Sequence, residues 1–181
     1  MLYLDRSNKR KIYKYKDYTI LTMKKNMDEF ILANMNKLKK EELLDSLVKE
    51  YGCLLHGSRT NIAGGILLPS RGNIYATDNA GIAILKAIYS NNGSNLKYPS
   101  KISETSPLVL EIENMNDNTI GERGFVYILP SRKGFEKSTR NEWEFVSSKN
   151  SAFHSVIEVL RSDFKYPVYG INKERFTPFF S

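Results

Sequence analysis

The sequence has very few of the residues that bind metals or form disulfides: one cysteine and two histidines among 181 residues. The single cysteine, Cys53, has no partner for an intramolecular disulfide, so we expect a reducing, cytoplasmic compartment. No set of His and Cys residues has the spacing of a zinc site, and we predict no metal. Neither a P-loop nor a GxGxxG fingerprint is present, which excludes these two common nucleotide-binding motifs.

Long apolar runs are also missing. No segment approaches the roughly 20 apolar residues that span a bilayer. The first residues lack the apolar stretch of a secretory signal, so we expect no membrane partner. The hydrophobic share of 41% and the charged share of 26% are ordinary for a soluble globular protein.

The positive charge is concentrated near the N-terminus. Residues 1–25 contain eight Lys or Arg and two Asp, which accounts for +6 of the net charge of +7. Tyr3, Tyr13, Tyr15 and Tyr18 are interleaved with these cations. Basic side chains attract phosphate and tyrosines stack on exposed bases. This arm is therefore either a nucleic-acid contact or a solvated, lysine-rich strand.

The pattern of residues predicts a helical N-terminal part. Residues 10–23 are rich in β-formers and predict a strand or hairpin. Asn26 followed by Glu29 resembles a capped helix start, and apolar residues then recur at helical spacing up to Gly52. One bent helix or two helices are expected there. We predict a basic and helical segment over 1–50 and a second domain over 51–181.

Short elements follow Gly52. A helix from Asn79 to about Tyr89 is predicted, with Asp78 as its cap. Residues 58–68 predict a loop with a helical turn, and residues 91–106 predict a polar loop. Helices followed by several short strands indicate an α+β fold. Strands are predicted over Cys53–His56, Asn73–Thr77, Leu108–Glu113, Gly124–Leu129, Trp143–Ser147 and Val156–Leu160.

His56 ends a buried strand and is the first candidate for chemistry. Gly57 would let a ligand approach the backbone, while Ser58 and Arg59 add a hydroxyl and a cation. The imidazole could form a hydrogen bond with a ribose hydroxyl. Alternatively, His56 is a strand-end histidine whose ring forms a hydrogen bond with the backbone. A nucleophilic pair with Cys53 is excluded, because residues three apart on a strand face opposite sides.

Tyr75 and two acids are the other candidates. Tyr75 lies at a strand end, where its ring could stack on a flat ligand or pack as an ordinary rim residue. Glu142 and Glu144 would share one face of a strand, with Trp143 and Phe145 on the opposite, packed face. Either acid could stabilise positive charge at an anomeric carbon, or both could be solvent-facing.

Taken together, these segments resemble the His-Tyr-Glu branch of the ADP-ribosyltransferase superfamily, the type of diphtheria toxin and poly(ADP-ribose) polymerase. The likeness runs from Cys53 to Val159. It is carried by Leu55–Ser58, by Ile74–Thr77 with the helix after it, and by Glu144–Ser147 with Val156–Val159. The fold that it implies is a split, mostly antiparallel β-sandwich with flanking helices.

The resemblance also implies roles, with NAD as co-substrate. His56 would hold a ribose hydroxyl, the Gly57 backbone the nicotinamide amide, and Tyr75 the nicotinamide ring. Glu144, or alternatively Glu142, would be the acid at the nicotinamide ribose. Ser58 and Arg59 would complete the NAD site. This sequence departs from the family at Lys86, where many members have a second aromatic residue; Tyr89 follows one turn later.

The function implied is transfer of ADP-ribose from NAD to a protein or nucleic-acid acceptor, with release of nicotinamide. Enzymes of this kind are often toxins or defence factors. Two alternatives stay open on the same fold. One is a catalytically silent module that binds NAD, ADP-ribose or RNA, and the other is an NAD-dependent enzyme similar to RNA 2′-phosphotransferases.

Overall fold

The computed structural model describes residues 22–89, 93–172 and 175–178, with 171–172 and 175–178 described through their backbone only. The basic N-terminal arm and nearly all of the strand or hairpin predicted over residues 10–23 lie outside the described residues. Residues 22 and 23, the end of that prediction, already belong to a helix.

Two helices precede the first strand. Helix α1 covers residues 22–34, so the prediction that Asn26 caps it is wrong. A turn over residues 35–37 separates it from α2, Lys40–Tyr51. Helix α2 ends as predicted at Gly52, whose φ of 62° and N–H bond to the Val48 carbonyl close the last turn. The Tyr51 hydroxyl donates to the Asn26 carbonyl at 3.1 Å and so ties the two helices together.

The remaining elements alternate short strands with one helix. Most of the predicted strands are present within two residues of their expected ends. The predicted helical turn within residues 58–68 is replaced by a two-residue strand. The elements are β1 Leu54–Ser58, β2 Ile66–Leu67, β3 Ile74–Thr77, α3 Ala80–Ile88, β4 Asn95–Lys97, β5 Leu110–Glu113, β6 Arg123–Leu129, β7 Glu136–Lys137, β8 Glu144–Ser147, β9 Ser151–Ala152, β10 Ser155–Leu160, a 3₁₀ turn Arg161–Asp163, β11 Val168–Asn172 and β12 Arg175–Pro178.

The strands form an α+β arrangement of mostly antiparallel sheets. A six-stranded sheet has the order β10-β6-β1-β3-β8-β7, and a four-stranded sheet has the order β12-β11-β5-β4. The pair β5 and β11 is parallel, and β2 pairs with β9 apart from both sheets. Strand β1 lies near the centre of the larger sheet, so its residues are positioned from both sides.

Helix α3 lies directly on the larger sheet because two glycines make room for it. A Cβ on Gly57 of β1 would lie 2.1 Å from the Ala83 carbonyl oxygen, and one on Gly124 of β6 would lie 2.0 Å from that of Ala87. The cap of α3 is Asn79, not Asp78 as predicted, because the Asn79 side chain accepts the Ile82 N–H at 2.9 Å. The packing of α3 alone therefore explains why glycine occupies position 57, without any contact to a ligand.

Two hydrophobic clusters cover the two faces of the larger sheet. Neighbouring residues of β1 divide between them: Leu55 joins the helix-side cluster and Leu54 the opposite one, as strand alternation requires. Buried residues of α1 and α2, among them Met27 and Leu44, belong to the helix-side cluster. Within the described residues, no helix is long and apolar enough to cross a membrane.

Candidate functional site

The larger sheet opens between β1 and β3. Strand β1 pairs with β6 along its whole length from Leu54 to Ser58, but within the described residues its register with β3 has the single pair Leu55↔Thr77. Beyond that pair, the His56 Nδ1 atom lies 2.6 Å from the Tyr75 carbonyl oxygen. A side chain therefore bridges the strands where ladder pairing has ended, and a gap is left beside it.

A cavity of about 350 Å³ occupies this opening. It brings together five of the residues predicted for the site, which come from three strands and one helix. Strand β3 remains fully paired with β8, and the partner of Thr77 is Glu144, so the acid is carried to the same opening. The lining residues are Leu55, His56, Gly57, Tyr75, Ala76, Thr77, Ile82, Lys86, Trp143 and Glu144.

Two predicted residues, Ser58 and Arg59, are not among those that line the cavity. The Ser58 hydroxyl donates to the Thr60 carbonyl and accepts the Thr60 N–H, which forms a turn at the end of β1. The Arg59 guanidinium donates to the carbonyl of Asn118. Both side chains thus stabilise the loop connections near the cavity.

The protonation of His56 follows from its surroundings. A carbonyl oxygen only accepts, so Nδ1 carries the hydrogen that bonds Tyr75. Burial lowers the pKa of His56, opposed in part by this same hydrogen bond. The neutral ring is favoured, and its Nε2 atom has a free lone pair, which is an acceptor for a ligand hydroxyl.

The two acids differ in their environments. Glu142 lies in the turn before β8, and its carboxylate is 3.3 Å from the Lys101 ammonium. The expectation that Glu142 and Glu144 share one strand face is wrong, because β8 begins at Glu144. Glu144 lines the cavity and has no ion-pair partner among the described residues. Of the two candidate acids, Glu144 is therefore the one that the structure places at the cavity.

Aromatic residues form the outer wall of the cavity. Tyr75 is 51% exposed, so much of its ring is free to contact a ligand. Trp143 also lines the cavity and belongs to the helix-side core, so the prediction that it packs with Phe145 on one face is wrong. Its indole N–H donates to the Pro99 carbonyl at 3.0 Å, which fixes the ring. Sequence reasoning missed Trp143, although an aromatic residue directly before a candidate acid was a usable signal.

Lys86 fills the position where the family resemblance predicts a second aromatic ring. Its ammonium donates to the Tyr98 hydroxyl and lies 4.6 Å from the centre of that ring. Tyr98 in turn lies 5.5 Å from Trp143, centre to centre. Tyr89, one turn after Lys86, packs against Phe164 in the core and does not line the cavity.

A second cavity of about 690 Å³ adjoins the first one. Tyr75 and Glu144 line both cavities, so the two cavities meet at these residues. A larger cavity, of about 830 Å³, lies elsewhere between Tyr89 and the segment 160–169, and none of the predicted site residues lines it.

Other catalytic chemistries find little support around these cavities. Within the described residues, no group of three or more His, Cys, Asp or Glu side chains is arranged to hold a metal ion. Cys53 is buried, and burial raises its pKa to about 11, so the thiol stays protonated and is a poor nucleophile.

No protein-family model, curated protein or solved structure matches this chain.

Proposed function

We propose that this protein is an ADP-ribosyltransferase that uses NAD as co-substrate, with the split antiparallel sandwich of that superfamily. The observation that carries the proposal is the convergence of His56, Tyr75 and Glu144, distant in sequence, on one cavity beside the β1 and β3 gap. The opening of the larger sheet at this point agrees with the split expected of that fold.

In this proposal each side chain has a distinct task. The Nε2 atom of His56 accepts a ribose hydroxyl, which orients the dinucleotide. The exposed Tyr75 ring stacks on the nicotinamide, and the backbone of Gly57, past the last β1 and β3 pair, meets its carboxamide. Glu144 accepts the 2′-hydroxyl of the adjoining ribose and stabilises the positive charge that develops on its anomeric carbon.

The reaction needs no reactant other than NAD and the acceptor. The bond between the anomeric carbon and the nicotinamide nitrogen breaks, and its electron pair leaves with nicotinamide, which becomes neutral. An acceptor nucleophile then bonds the anomeric carbon and loses its proton to Glu144 or to water. The residues supply orientation and charge stabilisation, and these two effects account for much of the rate enhancement in many enzymes.

A silent binding module is the second candidate, and Lys86 is the observation that favours it. Lys86 lines the cavity where the nicotinamide of NAD, itself a cation, would lie. Like charges at close range weaken binding of the oxidised ring. A module that binds ADP-ribose would meet no such repulsion, because ADP-ribose carries no pyridinium.

Release of nicotinamide from labelled NAD distinguishes the two candidates. The enzyme should release it steadily, and Glu144→Gln should slow release by about 10²- to 10³-fold, the effect typical of losing one group that stabilises a transition state. NAD affinity should change little. The matched control is Glu142→Gln, whose exposed carboxylate contacts Lys101 and lies outside the cavity. Binding of ADP-ribose with no release above background would favour the binding module.

A further inference from the structure

The second cavity is lined by cations, and we call it the basic groove. Lys137 is on β7, Arg140 is in the turn between β7 and β8, and Lys149 follows β8. All three side chains are exposed. Two acids line the groove with them, Glu136 and the shared Glu144. The three cations and the proposed reactive carboxylate of Glu144 thus line the same groove.

These cations are available to a ligand. None of the three forms an ion pair with a described carboxylate. The Lys137 ammonium lies 5.3 Å from the centre of the Phe145 ring, a contact that leaves its charge unneutralised. Arg140 and Lys149 are held by turns, because their backbone N–H groups donate to the hydroxyls of Ser138 and Ser147. The backbone from which these two side chains extend is therefore fixed by the turns.

The spacing of the cations suits a chain with repeated negative charge. Arg140 precedes β8 and Lys149 follows it, and the four residues of β8 span about 10 Å at roughly 3.3 Å per step. An extended chain of phosphates can contact both cations with successive charges. Hydroxyl and amide groups fill much of the space between them: Asn73, Ser138, Thr139, Ser147 and Ser148. Besides Tyr75, two lining residues, Phe135 and Val146, have apolar side chains, whereas the cations and hydroxyl groups of the groove match what a phosphodiester needs.

We propose that the basic groove binds single-stranded nucleic acid as the acceptor, an inference that rests on the proposed transferase function. The cations hold successive phosphates and so bring an unpaired base beside Glu144, which lines the groove as well as the first cavity. A base nitrogen attacks the anomeric carbon, forming a new C–N bond as the nicotinamide bond breaks. The proton of that nitrogen passes to the Glu144 carboxylate, and neutral nicotinamide leaves.

Binding can be measured apart from catalysis. A fluorescent single-stranded oligonucleotide of mixed sequence, about 20 nucleotides long, is titrated with full-length protein at several salt concentrations. The triple variant is Lys137→Gln, Arg140→Gln, Lys149→Gln. Each lost phosphate contact should lower the magnitude of the slope of log K against log salt by roughly 0.7, so the three together should lower it by about 2. The affinity of the variant should fall about tenfold or more near 0.1 M salt.

The matched control is Lys37→Gln, Lys49→Gln, Lys165→Gln, which removes the same charge from exposed positions outside the groove. It should keep nearly the full salt slope and the wild-type rate of nicotinamide release. The basic arm at residues 1–25 is present in every variant, so its contribution cancels. Equal losses of slope in both triple variants would overturn the proposal.

Transfer is then tested with labelled NAD and equal amounts of the oligonucleotide and an unfolded polypeptide. Label on the oligonucleotide, reduced in the groove variant, is the expected result. Label on the polypeptide alone would overturn the nucleic-acid acceptor and leave the transferase proposal standing. If wild-type protein releases no nicotinamide, the transferase proposal fails, while groove-dependent binding still decides whether this surface recognises nucleic acid.

Discussion

The imidazole Nδ1 of His56 lies 2.6 Å from the backbone carbonyl oxygen of Tyr75, across the gap between two strands. This bond occupies the place where an antiparallel ladder would otherwise continue beyond Leu55↔Thr77. Without this bond the Tyr75 carbonyl would have no strand partner on the side where the ladder has ended. The His56 side chain therefore satisfies the Tyr75 backbone while the strands stay apart, so two of the candidate residues are held together by a direct hydrogen bond.

The first prediction concerns pH and the stability of the fold. Burial lowers the pKa of His56 in the folded state, whereas an unfolded histidine titrates near ~6.5. Below that value the unfolded chain binds the proton more readily, so the free energy of unfolding should fall as the pH drops from about 6.5 to the folded-state pKa. Above about pH 7 the effect is absent.

Urea unfolding of wild-type protein and of His56→Asn, at pH steps between about 8 and 5, measures this contribution. The asparagine amide can still donate to the Tyr75 carbonyl but does not titrate. The variant should therefore lose stability less steeply than wild type below about pH 6.5. Parallel curves for the two proteins would contradict the assigned burial of His56.

The second prediction concerns Gly57, where the packing of α3 leaves no room for a side chain. A methyl group there would lie 2.1 Å from the Ala83 carbonyl oxygen and 2.8 Å from the Ala87 nitrogen. Gly57→Ala should therefore cost about 3 kcal/mol or more of unfolding free energy, the upper range for overpacking. Both contacts are backbone atoms, so rotation of a side chain cannot relieve them.

Gly64→Ala is the control for this measurement. Gly64 has a φ of +87°, and a methyl group there would meet nothing within 4 Å, so only backbone strain of about 1 kcal/mol is expected. Chemical denaturation of both variants gives the comparison. A Gly57→Ala protein as stable as the control would show that α3 can move away from β1.

Many of the larger elements follow from patterns visible in the sequence, but β11 and β12 were not predicted, and β4 lies in the segment predicted as a polar loop. Helix α2 ends at Gly52 because glycine readily adopts the left-handed conformation, and β6 is a continuous apolar run. Two-residue strands such as β7 and β9 are too short to carry any periodicity, so they were not predicted. The Asn26 cap was predicted from a local motif, but α1 continues on its N-terminal side.

The candidate site was predictable only in part, for a physical reason. His56, Tyr75 and Glu144 each lie on a predicted strand, and the family resemblance predicts that the three residues share one site. The position of Trp143 depends on the segment around Pro99, which reaches it through a contact 44 residues away in sequence. Such tertiary contacts leave no local pattern, and the basic groove is assembled in the same way from two separate turns.

Trp143 also supplies the third prediction, because it is the only tryptophan in the chain. It is 5% exposed and lines the cavity, so a ring bound beside it should quench its emission. Titration with NAD or nicotinamide under selective tryptophan excitation should give a saturable decrease. ADP-ribose, which lacks the nicotinamide ring, should give a much smaller change at saturation. Equal quenching by all three ligands would contradict placement of nicotinamide in this cavity.

The fourth prediction concerns the charge of Lys86. Lys86 lines the cavity, and its ammonium donates to the Tyr98 hydroxyl. NAD⁺ and NADH share every phosphate and sugar and differ in the charge of the nicotinamide ring. Repulsion from Lys86 should therefore weaken NAD⁺ relative to NADH, and Lys86→Met should raise the NAD⁺ to NADH affinity ratio about tenfold, equal to about 1.4 kcal/mol.

The matched variant is Lys86→Arg, which keeps the charge and should leave the ratio near that of wild type. Both ligands are titrated calorimetrically with each protein, so that losses in packing affect the two affinities alike and cancel in the ratio. If Met and Arg change the ratio equally, charge is not the cause. A nicotinamide ring bound outside the reach of the Lys86 ammonium would give that result, since a distant charge is screened by solvent and salt.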